Sequence, residues 1–296
     1  MRSGFVAIIG RPNAGKSTLM NCFVGEKISI VSKRPQTTRD KITGVVTGED
    51  YQIAFVDTPG IHSPKNSLGG YMMKSVRRAK EGVDAVLYVY DAGRPMNEHD
   101  LEMLEKTASD GVPVVVAVNK TDEVQDERVA EAFVRLKEIE GITSIVPISA
   151  LKARNTEILL KELVALMPEG EKLFPDDMLT DKTERFLVGE MIREKALRFL
   201  NEEVPHGIGI EIKVFRERED GIVDVEADIV CEKESHKGII IGKKGETLKR
   251  ILTSARKDME ELLQTKVFLK GFVKVRSEWR DDEKFLRTIG YDKKEI

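Results

Sequence analysis

Residues 10–17 read Gly-Arg-Pro-Asn-Ala-Gly-Lys-Ser and directly follow the apolar run Phe5–Ile9. Glycines let backbone amides curl around a phosphate, and a helix opening after the loop adds the positive end of its dipole. The candidate nucleotide contacts are Gly10, Asn13, Ala14, Gly15, Lys16, Ser17 and Thr18. Lys16 suits the β and γ oxygens, and the Ser17 hydroxyl suits Mg²⁺. Further on, Asp57-Thr58-Pro59-Gly60 ends a second apolar run. There Asp57 would hold Mg²⁺ through water, and the Gly60 amide would meet a γ-phosphate. In Asn119-Lys120-Thr121-Asp122, the Asp122 carboxylate can accept from both N1–H and the 2-amino group of guanine. Adenine offers no such pair of donors and would leave a buried carboxylate unpaired. Ser149-Ala150-Leu151 would complete that pocket, with the Ala150 amide on the base oxygen.

These motifs need a frame, and the spacing of apolar residues supplies one. Phe5–Ile9, Tyr51–Val56, Ala85–Tyr90, Val114–Val118 and Ser144–Ile148 are short, β-branched-rich runs. Segments such as Glu98–Ser109 and Glu127–Ile139 between the later runs repeat their apolar residues at helical spacing. Near-continuous apolar strands separated by helices imply a mainly parallel sheet covered on both faces, an α/β domain. All four motifs then fall at strand ends.

Pro168-Glu-Gly170 closes a helical pattern, and the polar stretch after it carries Pro175 and the Asp176-Asp177 pair. The expected division is a first domain over residues 1–170, a linker over 171–183 and a second domain over 184–296. The second domain opens with a helical pattern, Thr183–Leu200, with Phe186, Ile192, Ala196 and Phe199 as inward candidates. Two period-two runs follow, Ile208–Phe215 and Ile222–Val230, then a glycine turn at 242–245, a helix Glu246–Leu263 and a strand Lys266–Val275. The order is α-β-β-α-α-β.

A chain of 296 residues with 41% hydrophobic and 33% charged residues excludes wholesale disorder. Cys22 and Cys231 lie too far apart for a disulfide framework or a zinc spacing, which indicates a reducing compartment. Val112–Val118 is the longest apolar stretch, too short to span a bilayer, so the expected location is cytoplasmic. His206 and His236 have no second ligand nearby and suggest no metal. Charge is unevenly placed. Residues 97–141 hold twelve acidic and five basic side chains, whereas residues 231–276 hold twelve basic and six acidic. The second block favours a polyanion partner.

Within that block lies Gly238-Ile-Ile-Ile-Gly-Lys-Lys-Gly-Glu246. Its glycines let two helices meet at a tight turn that can approach a nucleic-acid backbone, and Lys243 and Lys244 would lie against phosphates. The candidate contacts are Gly238, Ile239, Ile241, Gly242, Lys243, Lys244, Gly245 and Lys249, with the isoleucines as groove wall and core.

The series of phosphate loop, Pro35-Gln-Thr-Thr-Arg-Asp40, Asp-Thr-Pro-Gly, Asn-Lys-Thr-Asp and Ser-Ala-Leu resembles the translation-factor-like GTPases, nearest to the Era subfamily. The Gly-X-X-Gly segment resembles a type II KH domain, whose loop clamps about four nucleotides of single strand. The resemblance covers nearly the whole chain, including a charged tail near Trp279–Tyr291. It implies a P-loop GTPase domain followed by an α+β KH domain, using GTP and GDP with Mg²⁺. Thr38 would be the switch threonine on Mg²⁺, and Lys16, Thr38 and Gly60 the catalytic set; spacing alone leaves Thr37 and Thr38 both open. It also implies a monomer that binds the 3′ end of 16S ribosomal RNA in 30S subunit assembly, with RNA preferred to DNA by likeness alone. The alternatives are a constitutive RNA-binding scaffold, and a regulator peripherally attached to the inner face of the cell membrane. Where Ras-like enzymes carry a water-orienting glutamine, this chain has Ile61, which implies slow intrinsic hydrolysis. Asn13 stands where related cation-dependent GTPases carry an asparagine, so K⁺ is a candidate cofactor beside the phosphates.

Overall fold

In the computed structural model, residues 1–32, 34, 37–57, 67, 68 and 82–291 are described. Gly60 and Ile61 lie outside the described residues, as do Pro35 and Gln36. Among the described residues the chain forms two compact units. One takes in residues 1–29, 38–57 and 82–181, and the other 30–32, 34, 37, 67–68 and 182–291.

The first unit is built on a six-stranded sheet in the order β2-β3-β1-β4-β5-β6. The strands are β1 (Arg2–Ile9), β2 (Ile42–Thr47), β3 (Tyr51–Asp57), β4 (Ala85–Asp91), β5 (Val114–Asn119) and β6 (Ile142–Pro147). All neighbours pair in parallel except β2 with β3. β4 and β5 are buried along their whole length, as strands covered on both faces must be. The helices are α1 (Lys16–Val24), α2 (Glu98–Ala108), α3 (Asp126–Lys137) and α4 (Thr156–Leu166). Ala7 and Ile9 of β1 share a core with Leu104 of α2 and Leu136 of α3. α1 packs on β2 and β3, where Phe23 stacks on Phe55 at 4.8 Å, and α4 packs on β1 and β5. Because β1 and β3–β6 run in parallel, the loops after β1, β3, β4, β5 and β6 all emerge at one edge of the sheet.

β2 is an element the apolar spacing did not announce. It forms an antiparallel hairpin with β3, Ile42 opposite Asp57 and Thr47 opposite Gln52. The stretch after α4 packs along this hairpin. Buried Gln52 accepts from the Leu173 and Phe174 amides at 2.7 and 2.8 Å and donates to the Phe174 carbonyl at 3.0 Å. Asp181 accepts from the Thr43 amide and hydroxyl.

The second unit follows the order read from the sequence: α5 (Glu184–Phe199), β7 (Gly209–Glu217), β8 (Val223–Cys231), α6 (Glu234–Ile241), α7 (Glu246–Leu263) and β9 (Val267–Val275), then α8 (Glu283–Thr288). The sheet order is β7-β8-β9, with β7 antiparallel and β9 parallel to β8. Ile192 and Ala196 of α5, Ile240 of α6 and Ile251, Ala255 and Met259 of α7 pack on Val225, Ala227 and Ile229. Phe186 and Phe199 are only half-buried. α5 instead buries polar residues: Arg193 pairs with Glu190, and Lys195 bridges Glu194 at 2.8 Å and Asp258 of α7 at 2.5 Å. Such charges are tolerated inside because each is paired.

Trp279, the sole tryptophan, is fully buried. Its indole N–H donates to the Gly207 carbonyl at 3.0 Å, and its ring meets Phe285 edge-on at 5.9 Å. Trp279→Ala should destabilise the second unit by about 3–5 kcal/mol, the usual cost of emptying a buried aromatic site. Urea unfolding followed by circular dichroism reads this loss, and GTP affinity should not change because the nucleotide loops belong to the first unit.

Candidate nucleotide and nucleic-acid sites

The phosphate loop has the backbone its glycines permit. Gly10 has φ 143° and Gly15 φ 101°, and Asn13 is left-handed at φ 66°. A Cβ at Gly10 would lie 2.3 Å from the Val89 carbonyl oxygen, so β4 itself forbids a side chain there. Lys16 is buried and its ammonium donates to the carbonyls of Gly10 and Arg11 at 3.1 and 2.9 Å, curled across the mouth of the loop. Burial pushes its pKa below the ordinary lysine value, and the nearby Asp57 carboxylate opposes that shift. The loop is also held from outside. Arg11 pairs with Asp100 and donates to Asn97 at 2.8 Å, and these two residues form the capping box of α2.

Ser17, Thr38 and Asp57 converge. The Ser17 hydroxyl donates to Asp57 Oδ2 at 2.7 Å and lies 3.0 Å from the Thr38 hydroxyl, which is 3.5 Å from the same carboxylate oxygen. The two hydroxyl oxygens, 3.0 Å apart, match an edge of an Mg²⁺ octahedron, about 2.9 Å for bonds of 2.0–2.1 Å, with the Asp57 carboxylate beside them where it could accept from metal-bound water. Thr37 is turned away, its hydroxyl on the Arg34 carbonyl at 2.6 Å. Sequence reasoning did not find Ser29, whose hydroxyl reaches Asp57 at 3.2 Å. Asn21 places it, accepting the Ile28 and Ser29 amides at 3.1 and 2.9 Å. No spacing rule marks such a serine.

At the base side, Asn119 ties two loops together. Its Nδ2 donates to the Ala14 carbonyl at 2.8 Å and its Oδ1 accepts the Ala150 amide at 2.9 Å. The Ala150 amide, expected on the base oxygen, is therefore engaged by Asn119, because a buried amide and a buried carboxamide satisfy each other. Gly15 is required by the same contact, since a Cβ there would sit 2.2 Å from Asn119 Nδ2. Lys120 adopts φ 68° and its ammonium pairs with Asp91 at 2.6 Å, a partner the motif did not reveal. Asp122 is exposed, as is Leu151, while Ser149 is buried with its hydroxyl accepting the Lys152 amide at 3.1 Å. Because Asp122 is exposed, its carboxylate would be desolvated only as a base docked, and discrimination there would rest on the hydrogen bonds a base returns.

In the second unit, Gly242 (φ 72°) ends α6 and Gly245 (φ 80°) opens α7, with Lys244 left-handed between them at φ 53°. A Cβ at Gly242 would press to 2.2 Å from the Thr247 hydroxyl. Lys243, Lys244 and Lys249 are exposed, and Gly238 leaves its face of α6 open. The three isoleucines divide. Ile240 is core, Ile241 packs against the core, and Ile239 is 50% exposed. Beside Gly245 runs a cleft of about 420 Å³, walled by Leu248, Lys249, Leu252 and Arg256 of α7 and by Phe268 and Leu269 of β9. The glycine motif gave only the loop end of this groove; its far wall comes from a strand twenty residues on. No cluster of three or more metal-ligating side chains occurs among the described residues, and no described helix is long and apolar enough to cross a membrane.

Removing the Asn119 brace should loosen both loops. Asn119→Ala is expected to weaken GTP and GDP alike, tenfold or more, with no gain for xanthine nucleotides. Asp122→Asn should lose ~2–4 kcal/mol for GTP and shift preference to xanthine nucleotides. Titration calorimetry with the four nucleotides separates bracing from base recognition.

Comparison with known proteins agrees with this geometry. Residues 5–120 match the family model described as 50S ribosome-binding GTPase, and residues 203–280 match the KH domain model. GTPase Era of Clostridium kluyveri is 50% identical over 98% of this chain and 99% of its own. That of Clostridium beijerinckii is 49% identical over 98% and 97%. The crystal structure of Era in complex with MgGDPNP and nucleotides 1506–1542 of 16S ribosomal RNA superposes with TM-score 0.93 at 39% identity, covering 99% of both chains. An Aquifex aeolicus Era variant bound to GDP·AlF4⁻ gives TM-score 0.93 at 39% identity, covering 99% of this chain and 100% of its own. With a phosphate loop, a guanine motif and a Gly-X-X-Gly turn all in place, and half of its residues identical over nearly full length to curated relatives, the chain belongs to the Era family of GTPases.

Proposed function

We propose that this GTPase is a nucleotide-controlled RNA-binding factor that engages the 3′ end of 16S ribosomal RNA during assembly of the 30S subunit. The observation that carries the reading is the joining, in one chain, of the Ser17–Thr38–Asp57 oxygen cluster to a lysine-bearing Gly-X-X-Gly turn beside an open cleft. The Era complex that aligns over 99% of this chain holds both MgGDPNP and the 3′ segment of 16S RNA, which supports the same pair of ligands here.

Ser17 and Thr38 would hold Mg²⁺, which when bound would supply positive charge against the charge that develops on the phosphates. This chain's part is to hold and orient. Lys16 would turn from the loop carbonyls to the phosphate oxygens, Ser17 and Thr38 would supply hydroxyl ligands, and Asp57 would accept from metal-bound water. Thr38 is one residue from Thr37, whose carbonyl accepts from Arg193 of α5. The chain thus runs from Thr38 directly into a segment of the second unit, along which a change of state at Thr38 would pass. That continuity favours a switch over a constitutive scaffold. The functional division we assign is residues 1–170 for nucleotide, 171–183 as connection and 184–296 for RNA, in a cytoplasmic monomer.

Exchanging both loop lysines tests the RNA surface. In the Lys243→Asp, Lys244→Asp double variant, affinity for single-stranded RNA in filter binding should fall at least a hundredfold while GTP affinity persists. Unchanged RNA affinity would place the RNA elsewhere. Wild-type binding should also weaken steeply with salt as counterions are released.

Hydrolysis carries a second test. We assign to Asn13 a K⁺-binding role beside the phosphates, supported by its place in the phosphate loop, where its backbone is left-handed. Single-turnover hydrolysis should be faster in K⁺ than in Na⁺ at saturating GTP, and Asn13→Ala should abolish the difference with modest loss of GTP binding. Equal rates in the two salts would contradict the assignment.

A further inference from the structure

β9 carries a pattern that the glycine loop does not account for. From Lys266 the alternate residues are Lys266, Phe268, Lys270, Phe272 and Lys274, and all five share one face because side chains alternate along a strand. The intervening Val267, Leu269, Val273 and Val275 pack on the core. Phe268 is 46% exposed and Phe272 52%, whereas a ring of that size is ordinarily buried. The strand is an edge, paired only with β8. Lysines on an edge strand guard against strand-to-strand association, but that role does not explain two open phenylalanines between them.

The surroundings favour an anionic, π-faced occupant. Of the β8 acids behind this face, Asp224 pairs with Arg216 and Arg218 and Glu226 with Lys270 at 3.3 Å, while Asp228, level with Phe272, is buried. The Arg218 guanidinium and the Lys270 ammonium stand 5.2 and 5.3 Å from the Phe268 ring centroid, so cations border a stacking surface. Phe268 also forms part of the wall of the cleft beside Gly245, which makes the face continuous with the groove assigned to RNA. Rings and ammonium groups alternate at roughly 6–7 Å, two residues of strand. An extended single strand likewise alternates bases and phosphates. Proteins that hold single strands combine these two elements, aromatic platforms and a cationic track.

We propose that the outer face of β9 is a second segment of the RNA site, on which Phe268 and Phe272 stack bases while Lys266, Lys270 and Lys274 meet phosphates. It rests on the reading that the Gly-X-X-Gly groove binds RNA, and extends the footprint beyond the four or so nucleotides such a loop clamps.

The test uses the full chain, Mg²⁺ and a non-hydrolysable GTP analogue, with two probes in fluorescence anisotropy: the last twelve nucleotides of 16S RNA and four-nucleotide pieces of the same sequence. The Phe268→Ala, Phe272→Ala variant should bind the twelve-mer at least about tenfold more weakly, since each stacked base is worth about five- to a hundredfold, and Phe272→Ala alone, whose ring does not line the groove, should weaken the twelve-mer while binding its best four-mer as wild type does. The Phe268→Leu, Phe272→Leu variant, which keeps apolar bulk, should show a comparable loss. Lys270→Gln with Lys274→Gln should lower the salt slope of twelve-mer binding by about 1.4, two phosphates' worth for a single strand. Wild-type twelve-mer affinity in the alanine variant, or full rescue by leucine, overturns the proposal. So does loss of binding to anionic phosphatidylglycerol vesicles with RNA binding intact, which would assign the face to lipid. Failure of the groove reading is seen separately, as undiminished four-mer binding in the Lys243→Asp, Lys244→Asp variant.

Discussion

A fully buried carboxylate at the end of β3 sets the terms for the first unit. Asp57 can stay inside the protein only if its charge is met by donors, and the structure brings four groups from three places in the chain: Ser17 and, at longer range, the Lys16 ammonium at the start of α1, then Ser29 and Thr38. Removing one partner from such a cluster leaves buried charge unmet, at a cost of several kcal/mol. The phosphate loop, the segment carrying Ser29 and Thr38 are thus bound to one another through Asp57. The same hydroxyls that satisfy Asp57 are those a hard metal ion would recruit, so the cluster is both a structural seal and a metal-ready site.

The second constraint is the Asn119 carboxamide, which joins the Ala14 carbonyl to the Ala150 amide. Three loops from strands β1, β5 and β6 meet on one side chain. Phosphate and base recognition are therefore mechanically linked, and the glycine at position 15 is required because the carboxamide occupies the place of its side chain. In the KH unit the analogous constraint is steric: Gly242 must lack a side chain for α6 to turn into α7 past Thr247, and the turn presents two lysines at the mouth of a cleft.

Much of this architecture was legible in the sequence because it rests on period and on glycine. The strands β1, β3, β4 and β5 are near-continuous apolar runs, and the α-β-β-α-α-β order of the second unit follows from two alternating strands and a long amphipathic helix. β2 escaped because Ile42–Thr47 is broken by Gly44 and has its pairing decided by the hairpin with β3. The packing of residues 173–181 on that hairpin depends on Gln52, a polar residue whose burial no pattern announces. Ser29 and Asp91 were missed for a similar reason: each acts through a contact distant in sequence. The Asn-Lys-Thr-Asp motif located the base site, yet the division of labour between a bracing Asn119 and an exposed Asp122 is a matter of geometry alone. In the groove, the loop was readable and the wall was not, because Phe268 joins Leu252 only after β9 has paired with β8.

If nucleotide state governs RNA affinity, the dissociation constant of the full chain for the 3′ segment of 16S RNA, measured in saturating Mg²⁺ with GDP and with a non-hydrolysable GTP analogue, differs between the two states. The account predicts affinities at least about tenfold apart, a coupling of the size usual between linked sites. Equal affinities in the two states would contradict it and leave a GTPase whose RNA domain acts without its switch.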